Sequence, residues 1–146
     1  MVNARLTSVS GWSVRADWGG ILWRDFVASA HLFPKATHVT LVSVGGGYAT
    51  TIPLSDMDTP RVILAYKVAD EPLEPEYGGP LRLVIPNLWG YKSCKWLGKI
   101  ELTDEMSGGY WEDRGYPREA CITAGETLDV NSGTRKEHSA GEILNF

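Results

Sequence analysis

An arginine inside an apolar run is the residue of this sequence with the clearest chemical implication. Arg82 lies within residues 81–86, a run that is otherwise aliphatic and ends in proline. A guanidinium is costly to remove from water unless an anion faces it. The anion could be a carboxylate of the chain, such as Glu74 or Glu76, or the phosphate of a ligand. The sequence therefore predicts an anion at Arg82 and leaves its source open.

The segment that follows this run has the composition of an anion-binding loop. Residues 89–98 contain Lys92, Lys95, the hydroxyl of Ser93 and glycine at both 90 and 98. Backbone N–H groups, ammonium groups and hydroxyls are the donors that surround phosphates in proteins. Without Arg82 nearby the segment would be interpreted as an ordinary solvated loop. Together, the two segments indicate a phosphate site.

Other common catalytic signatures are missing from the sequence. The three histidines match no zinc-binding spacing. The glycines at 45–47 precede Tyr48 and an extended segment, whereas a nucleotide-binding glycine loop precedes a helix. Cys94 and Cys121 are too far apart for a Cys-x-x-Cys motif, and a reducing compartment is the default for such a chain. Hydrolase and nucleotide-binding functions lose their usual support.

Length and charge narrow the class of protein further. The 146 residues, 43% of them hydrophobic, suffice for one domain with its own core. Fourteen Lys and Arg against eighteen Asp and Glu give a net charge of -4, which disfavours nucleic acid as a partner. No stretch approaches the ~18 apolar residues of a membrane-spanning helix, and the first 13 residues do not resemble a signal peptide. We expect a cytoplasmic protein with no membrane partner.

The elements that must position these residues are mostly strands. Residues 38–44 and 48–52, on either side of the glycines, predict a hairpin, and residues 62–68, 81–86 and 95–102 predict three more strands. Residues 21–30 predict an amphipathic helix that ends near Pro34, with one apolar face formed by Leu22, Trp23, Phe26, Val27 and Ala30. The pattern indicates an α+β fold with more strand than helix.

The end of the chain has a different composition. Apolar residues become sparse from about Pro117, and residues 129–142 are almost wholly polar. We therefore expect residues 1–120 to form one domain and residues 121–146 to form a loosely packed polar C-terminal tail.

An ordered set of sequence blocks resembles a known family. The blocks are Val-Ile-Leu-Ala-Tyr at 62–66, Glu-Pro-Leu at 71–73, Gly-Gly-Pro-Leu-Arg-Leu-Val-Ile-Pro at 78–86 and Lys-Ser-Cys-Lys-Trp-Leu at 92–97. With residues 11–13, 47–53 and 109–116, they resemble the oxidoreductase molybdopterin-binding domain of the sulfite oxidase family, over roughly residues 6–117. The short bacterial and archaeal members are the most similar.

The resemblance implies a fold, a cofactor and an activity. The fold is α+β, of sulfite oxidase type, with mixed β-sheets and few helices. Members bind molybdenum through the dithiolene of a molybdopterin and transfer an oxygen atom to or from a small substrate, here an oxyanion or an S- or N-oxide. A small-molecule substrate and a redox partner protein are the implied partners.

The resemblance also implies roles for individual residues. Tyr48 matches the tyrosine beside the metal, and Arg82 matches the arginine that binds the cofactor phosphate. Ser93, Cys94 and Lys95 match the loop that wraps this phosphate, although Cys94 is also interpretable as a small buried hydrophobic residue. Weaker matches to pterin-contacting positions fall on Ser43 and Tyr77.

The sequence departs from the family pattern at the metal ligand and in the segment that precedes this ligand. The position of the family's cysteine ligand is Ser8, which is interpretable as a serine ligand, an engineered replacement or the mark of an inactive member. A hydroxyl is a harder and less acidic ligand than a thiol, so little turnover is expected. The segment that precedes the cysteine in family members, and adds pterin contacts, is also short here. The alternative function is therefore an inactive pterin-binding or partner-binding domain.

Overall fold

The computed structural model describes residues 1–31 and 35–144. Strands dominate these residues, and the two α-helices are short, which confirms the expected α+β class with few helices. The strands are Val2–Thr7 (β1), Ser13–Leu22 (β2), His38–Ser43 (β3), Ala49–Pro53 (β4), Ile63–Val68 (β5), Glu71–Pro72 (β6), Arg82–Val84 (β7), Leu97–Thr103 (β8), Gly125–Asp129 (β9) and Thr134–His138 (β10). The helices are Trp23–Ala30 (α1) and Leu54–Met57 (α2).

The first sheet contains five strands. Its order is β1-β2-β5-β6, and β7 also pairs with β5. The antiparallel register of β5 and β7 joins Leu64 to Leu83 and Ala65 to Arg82. Because successive side chains of a strand point to opposite faces, Arg82 lies on the face opposite to Leu83. This register decides where the arginine points.

The second sheet has three strands in the order β4-β3-β8. The antiparallel pairing of β3 with β4 joins Val39 to Ile52 and confirms the hairpin predicted around the glycines. Strand β8 pairs antiparallel with the other edge of β3. The predicted strands at 62–68, 81–86 and 95–102 correspond to β5, β7 and β8.

Two hydrophobic cores lie on opposite faces of the first sheet. Leu64 and Leu83 belong to the core that is shared with the second sheet, where they join Val39, Leu41 and Ile52. The alternate residues Ile63, Ala65 and Val84 belong to the other core, with Ala4, Leu6 and Trp18. The chain passes from the first sheet to the second between β7 and β8. We call residues 85–96 the crossing segment.

The helix begins later than the sequence predicts. Ile21 and Leu22 belong to β2, where they pair with Leu64 and Ile63, so Leu22 is a strand residue. These two residues belong to the strand because their backbone continues the hydrogen-bonded ladder between β2 and β5. The helix then ends at His31, whose φ of 49° is left-handed. The predicted end near Pro34 lies outside the described residues.

The C-terminal residues contain two paired strands. β9 and β10 form an antiparallel hairpin, whose turn is closed by a 2.7 Å hydrogen bond from Gly133 N to the carbonyl oxygen of Asp129. Ile122 and Ile143 are buried, at 3% and 1% exposure. Residues 121–144 therefore include a paired hairpin that the sequence did not predict, although only Ile122, Thr127 and Ile143 among them are buried. Because hairpin hydrogen bonds do not require apolar side chains, the polar composition concealed the element. The division of the chain at residue 120 stays a prediction.

Within residues 1–31 and 35–144, no helix combines the length and the apolar character needed to cross a membrane.

Candidate functional site

Two adjoining clefts lie where the two sheets meet. The first cleft has a volume of about 370 Å³ and the second about 420 Å³. They share a wall made of residues from the crossing segment and one tryptophan that follows β8: Gly90, Tyr91, Ser93, Lys95 and Trp111. The connection between β7 and β8 therefore brings both clefts against one loop.

The first cleft is lined by the end of β1, by the loop that follows it and by one residue of β7. The loop between β1 and β2, residues 8–12, contributes Ser8, Ser10 and Trp12, and β7 contributes Arg82. We call residues 8–12 the Ser8 loop. The structure thus brings Ser8, Arg82, Ser93 and Lys95 together, as the resemblance implies.

The guanidinium of Arg82 is only partly satisfied by the protein. Its Nη1 donates a 2.8 Å hydrogen bond to the carbonyl oxygen of Tyr77, and its Nε is buried without a partner. One face lies 5.1 Å from the ring centroid of buried Trp18. Burial lowers the pKa of Arg82 to about 10, so the group stays cationic near neutral pH.

The ion pair predicted as one alternative for Arg82 is not observed. No carboxylate of the described residues, Glu74 and Glu76 included, lies within 4 Å of the guanidinium. A partly buried cation with an unpartnered N–H is disfavoured unless an anion approaches. Of the two predicted sources of that anion, the protein carboxylate is absent among the described residues, and the ligand phosphate stays a prediction.

Ser93 and Lys95 line both clefts beside this arginine. The Oγ of Ser93 accepts a 3.0 Å hydrogen bond from Ile85 N, which joins Ser93 to the first residue of the crossing segment, directly after β7. The ammonium group of Lys95 lies 4.6 Å from the ring centroid of Trp96. Lys95 forms no ion pair among the described side chains. It is thus a second cation that is free to meet an anion.

Tyr48 and Ser43 lie in the second cleft. The side chain of Ser43 accepts a 3.1 Å hydrogen bond from Tyr48 N across the hairpin end. The phenol of Tyr48 donates to the carbonyl oxygen of Tyr91. Burial, and after it the nearby Cys94 and Glu112, raise the pKa of Tyr48. The phenol is therefore a neutral hydrogen-bond donor at the edge of the cleft.

The side chains of two predicted site residues line neither cleft. Tyr77 is 55% exposed, and its link to the site is the carbonyl oxygen that holds Arg82. Cys94 is fully buried in the core between the sheets, and burial raises the pKa of its thiol to about 11. Its side chain fits the interpretation as a small buried hydrophobic residue. A backbone contact of Cys94 with a cofactor stays a prediction.

Ser8 offers a hydroxyl at the position where the family has a thiolate. The Oγ atoms of Ser8 and Ser10 lie 2.8 Å apart, and Ser10 N donates to Ser8 Oγ at 3.2 Å. Neither cysteine lines the clefts. Residues 1–31 and 35–144 contain no group of three or more His, Cys, Asp or Glu side chains that could hold a metal ion. The cation pair fits a phosphate-bearing cofactor, whereas Ser8, the predicted metal ligand, would offer an oxygen atom only.

A buried ion pair beneath the clefts was not predicted from the sequence. Lys92 Nζ lies 2.5 Å from Glu112 Oε1, and both side chains are 1% exposed. The ammonium also donates to the carbonyl oxygen of Thr51 at 2.8 Å, and Thr50 Oγ1 donates to the same carboxylate oxygen. In the sequence, Lys92 was identified only as one of the two lysines within residues 89–98. No local signal indicates Glu112, which follows twenty residues later.

Aromatic rings surround the mouth of the first cleft. Its lining includes Trp12, Tyr91, Trp111 and Tyr116, and Trp12 is 49% exposed. Tyr91 and Tyr116 lie 5.2 Å apart between ring centroids, and Trp111 packs edge-on against Tyr116 at 5.6 Å. The mouth can thus contact an apolar or planar group.

Known proteins with similar sequences share this arrangement of blocks. Residues 2–111 match the family described as the oxidoreductase molybdopterin binding domain. The uncharacterized oxidoreductase YuiH of Bacillus subtilis is 42% identical over 110 residues, which are 74% of this chain and 54% of YuiH. Human mitochondrial sulfite oxidase is 32% identical over 126 residues, which are 80% of this chain and 23% of that protein.

A solved structure supports the same fold. The sulfane dehydrogenase SoxCD from Paracoccus pantotrophus superposes with a TM-score of 0.66 at 18% identity, over 96% of this chain and 38% of that chain. This chain spans about half the length of YuiH and a smaller part of sulfite oxidase. Because the family match extends over most of the sequence and the fold agrees, the chain belongs to the oxidoreductase molybdopterin-binding domain family of sulfite oxidase type.

Proposed function

We propose that this chain binds the phosphate of a molybdopterin in the first cleft and serves an oxidoreductase that transfers an oxygen atom. The observation that carries the proposal is the guanidinium of Arg82. It is partly buried at the cleft, has an unpartnered Nε and has no carboxylate nearby. Lys95 adds a second cation in the same lining. Two cations without protein anions are the electrostatic complement of a phosphate.

The residues at the metal end would act on substrate and ligand oxygen atoms. When bound, the cofactor supplies a molybdenum centre that accepts or donates two electrons with an oxygen atom. Ser8 would offer its hydroxyl to that centre. Tyr48 would donate a hydrogen bond to an oxygen atom there once its O–H turns away from the carbonyl oxygen of Tyr91. The raised pKa of Tyr48 keeps the phenol protonated for this role. Electrons would be exchanged with a redox partner protein. The cytoplasmic location of the chain stays a prediction.

The charge of the clefts favours a neutral substrate. Of the described residues that line them, only Arg82 and Lys95 are cationic, and both are assigned to the phosphate. The rest of the first cleft is formed by hydroxyls, aliphatic groups and the aromatic mouth. An oxyanion would lack a cation of its own, whereas an organic S- or N-oxide would contact aromatic rings. Sulfite should therefore be a poorer substrate than a neutral sulfoxide.

The alternative function is an inactive domain that binds a pterin or a partner protein. The observation that favours it is the Ser8 hydroxyl, which is hydrogen-bonded to Ser10 where the family has a thiolate. A hydroxyl must lose a much less acidic proton than a thiol before it can ligate a metal. Molybdenum content therefore separates the two functions.

The proposal is tested by analysing the protein purified from a host that makes the cofactor. We expect pterin, detected by its fluorescence after oxidation, near one equivalent per chain in the parent protein. Arg82→Gln should reduce pterin content about tenfold or more, because a charge-assisted phosphate contact contributes roughly 1.5–3 kcal/mol. The control is Arg15→Gln, since Arg15 is an exposed residue whose Nη1 donates to Asn3.

Two outcomes would contradict the proposal. Pterin absent from the parent protein would exclude cofactor binding by this chain, and equal pterin in the Arg82 and Arg15 variants would exclude Arg82 as the phosphate ligand. Pterin present without molybdenum would favour the inactive alternative. A separate assay tests the substrate class. Turnover of a neutral sulfoxide, measured with an artificial electron donor, is compared with turnover of sulfite, measured with an artificial electron acceptor.

A further inference from the structure

The β9–β10 hairpin follows the part of the chain that matches the family. The match ends at residue 111, and the hairpin begins at Gly125. It nevertheless contacts both loops that face each other across the first cleft, the Ser8 loop and the crossing segment. This position gives the hairpin access to the site without lining it.

The first contact joins the hairpin to the Ser8 loop through the backbone. Val130 N donates a 3.2 Å hydrogen bond to the carbonyl oxygen of Ser10. Gly11 has a φ of 87°, and a Cβ atom added there would lie 2.2 Å from the carbonyl oxygen of Leu128. Only glycine permits both the left-handed conformation and this approach. The two backbones are thus in direct contact.

The second contact joins the hairpin to the crossing segment. The ring of His138, at the end of β10, packs edge-on against Trp89, with centroids 5.6 Å apart and an interplanar angle of 90°. Trp89 directly precedes Gly90 and Tyr91, which line both clefts. The hairpin therefore spans from one wall of the first cleft to the other.

Apart from the hairpin, the Ser8 loop is restrained by its own turn and, at its base, by the crossing segment. The turn includes the hydrogen bonds between Ser8 and Ser10. The backbone hydrogen bonds of the loop run from Ser8 N to the carbonyl oxygen of Trp12 at 2.8 Å and from Gly11 N to that of Ser8 at 3.0 Å.

At the base of the loop, a Cβ atom added to Gly90 would lie 3.2 Å from the carbonyl oxygen of Thr7 and 3.9 Å from the Cα of Ser8. Thr7 and Ser13 pair at this base, and Trp12 is exposed at the tip of the loop. Local turn bonds define the shape of a loop, but contacts with the rest of the fold define where it lies.

We propose that the β9–β10 hairpin is a positioning element that holds the Ser8 loop against the first cleft. It would fix the distance from the Ser8 hydroxyl to the phosphate-binding residues Arg82 and Lys95. That consequence rests on the proposed function, whereas the restraint on the loop does not. A ligand displaced by about 1 Å can lose most of its effect on a reacting centre, so the restraint would affect chemistry.

Two pairs of variants test the restraint in the full chain without cofactor. Val130→Pro removes the N–H that bonds to Ser10, and Val130→Ala keeps it. Gly11→Ala forces the loop away from Leu128, and its control is Gly141→Ala. Gly141 has a φ of 80° and no atom near the added Cβ, so the control carries the same conformational cost without the contact. Amide hydrogen exchange is measured by NMR at Ser8 and Gly11 and, for reference, in β3.

We expect Val130→Pro to speed exchange at the Ser8 and Gly11 amides, and Gly11→Ala to speed exchange at the Ser8 amide, about tenfold or more relative to their controls, with β3 unchanged. Unchanged exchange at these amides in Val130→Pro would overturn the proposal. So would equal acceleration in β3, because the hairpin would then stabilise the whole fold rather than position the loop.

A second measurement addresses the metal end in protein loaded with cofactor. The electron paramagnetic resonance spectrum of Mo(V) should differ between Val130→Pro and Val130→Ala, while pterin content stays equal because Arg82 and Lys95 are untouched. Identical spectra would show that the hairpin does not act on the metal position. If the chain binds no pterin, the proposed function fails, and the exchange experiment still decides whether the hairpin holds the loop.

Discussion

A cation that the protein leaves without an anion defines the chemistry of the site at the scale of single residues. Arg82 is held by the carbonyl oxygen of Tyr77 and stacked on Trp18, and neither contact neutralises its charge. Such a group weakens the apo fold and strengthens anion binding, since the cost of burial is offset only when the ligand arrives. Under the proposed function, a bound phosphate would supply the anion that offsets this cost.

Replacing Ser8 by cysteine tests the metal position. We expect Ser8→Cys to increase the molybdenum content per pterin, because a thiolate is a softer and more acidic ligand than a hydroxyl. The control is Ser10→Cys, which places a thiol in the same loop, next to Ser8. Molybdenum is measured by mass spectrometry of the purified protein.

Equal molybdenum in the two cysteine variants would contradict the assignment of Ser8 to the metal position. Rapid turnover by the unsubstituted protein with bound molybdenum would show instead that serine is a working ligand, and that the expectation of low activity is wrong.

The two cysteines should differ strongly in reactivity. Cys94 is buried, and burial raises the pKa of its thiol to about 11, whereas Cys121 is exposed. The thiolate is the reactive form, so Cys94 should stay unmodified near neutral pH in the folded protein. Iodoacetamide should label Cys121 alone, and both residues after unfolding, as checked by peptide mass spectrometry. Fast labelling of folded Cys94 would mean that the core between the sheets opens readily.

Arg82 and the loop that follows it were identified from a local signal, whereas Ser8, Ser43, Tyr48 and Tyr77 were identified from the family resemblance alone. A charge within an aliphatic run is visible at Arg82, and the lysine-rich loop lies only ten residues further on. Glu112 has no such signal, because its function as the partner of Lys92 depends on two segments that meet only in the folded chain. Cys94 shows the converse. It lies between two cleft-lining residues, but its side chain points into the core.

At the scale of elements, the Lys92–Glu112 pair joins the crossing segment to the turn Glu112–Arg114 that follows β8. We expect Glu112→Gln to lower the free energy of unfolding by about 3 kcal/mol, because one charge of a buried pair is left uncompensated. The control is Glu101→Gln in the exposed pair of Lys99 and Glu101, whose side chains are 63% and 54% exposed. That substitution should cost under about 1 kcal/mol.

Urea unfolding of the two variants measures both free energies. If Glu112→Gln costs no more than Glu101→Gln, the buried pair does not stabilise this junction. Lys92→Met combined with Glu112→Leu should recover part of the loss, since neither charge then remains buried.

Elements were predictable where one face of a strand is buried. The β3–β4 hairpin shows β-branched residues around a glycine turn, so it was identified. The ten residues of β2 include Arg15, Asp17 and two adjacent glycines, which conceal a strand that pairs on both sides. β9 and β10 are mostly exposed on both faces, and only Thr127 within them is buried. Strands that pair without burying apolar side chains have no periodic hydrophobic pattern from which they could be predicted.

At the scale of the whole molecule, the crossing segment makes the two sheets interdependent. Leu83 N donates to the carbonyl oxygen of Cys94 at 2.9 Å, and Leu97 N donates to that of Leu81 at 2.9 Å. These two bonds join the end of the crossing segment and the start of β8 to residues 81 and 83, in and next to β7. The core between the sheets contains residues of both sheets. The sheets should therefore unfold together.

We expect a single unfolding transition. Trp18 belongs to one core and Trp23 to the other. Because the chain has six tryptophans, the fluorescence of each variant, Trp18→Phe and Trp23→Phe, is subtracted from that of the parent protein to isolate the signal of one core. The two resulting fluorescence transitions in urea should coincide with each other, after allowance for stability differences, and with the circular dichroism of the same sample. A fluorescence transition that precedes the loss of circular dichroism in one variant alone would show that the two cores unfold separately.

The carboxylate of Glu142 has a consequence for self-association. β1 is an outer strand of its sheet, and the amide of Arg5 on this strand donates a 2.8 Å hydrogen bond to Glu142 Oε1. Arg61 holds the same side chain at 2.5 Å, so the carboxylate occupies a position at which an intruding strand would begin to pair. Outer strands with free amides are templates for aggregation. Glu142 thus protects this edge from strand addition by a second copy of the chain.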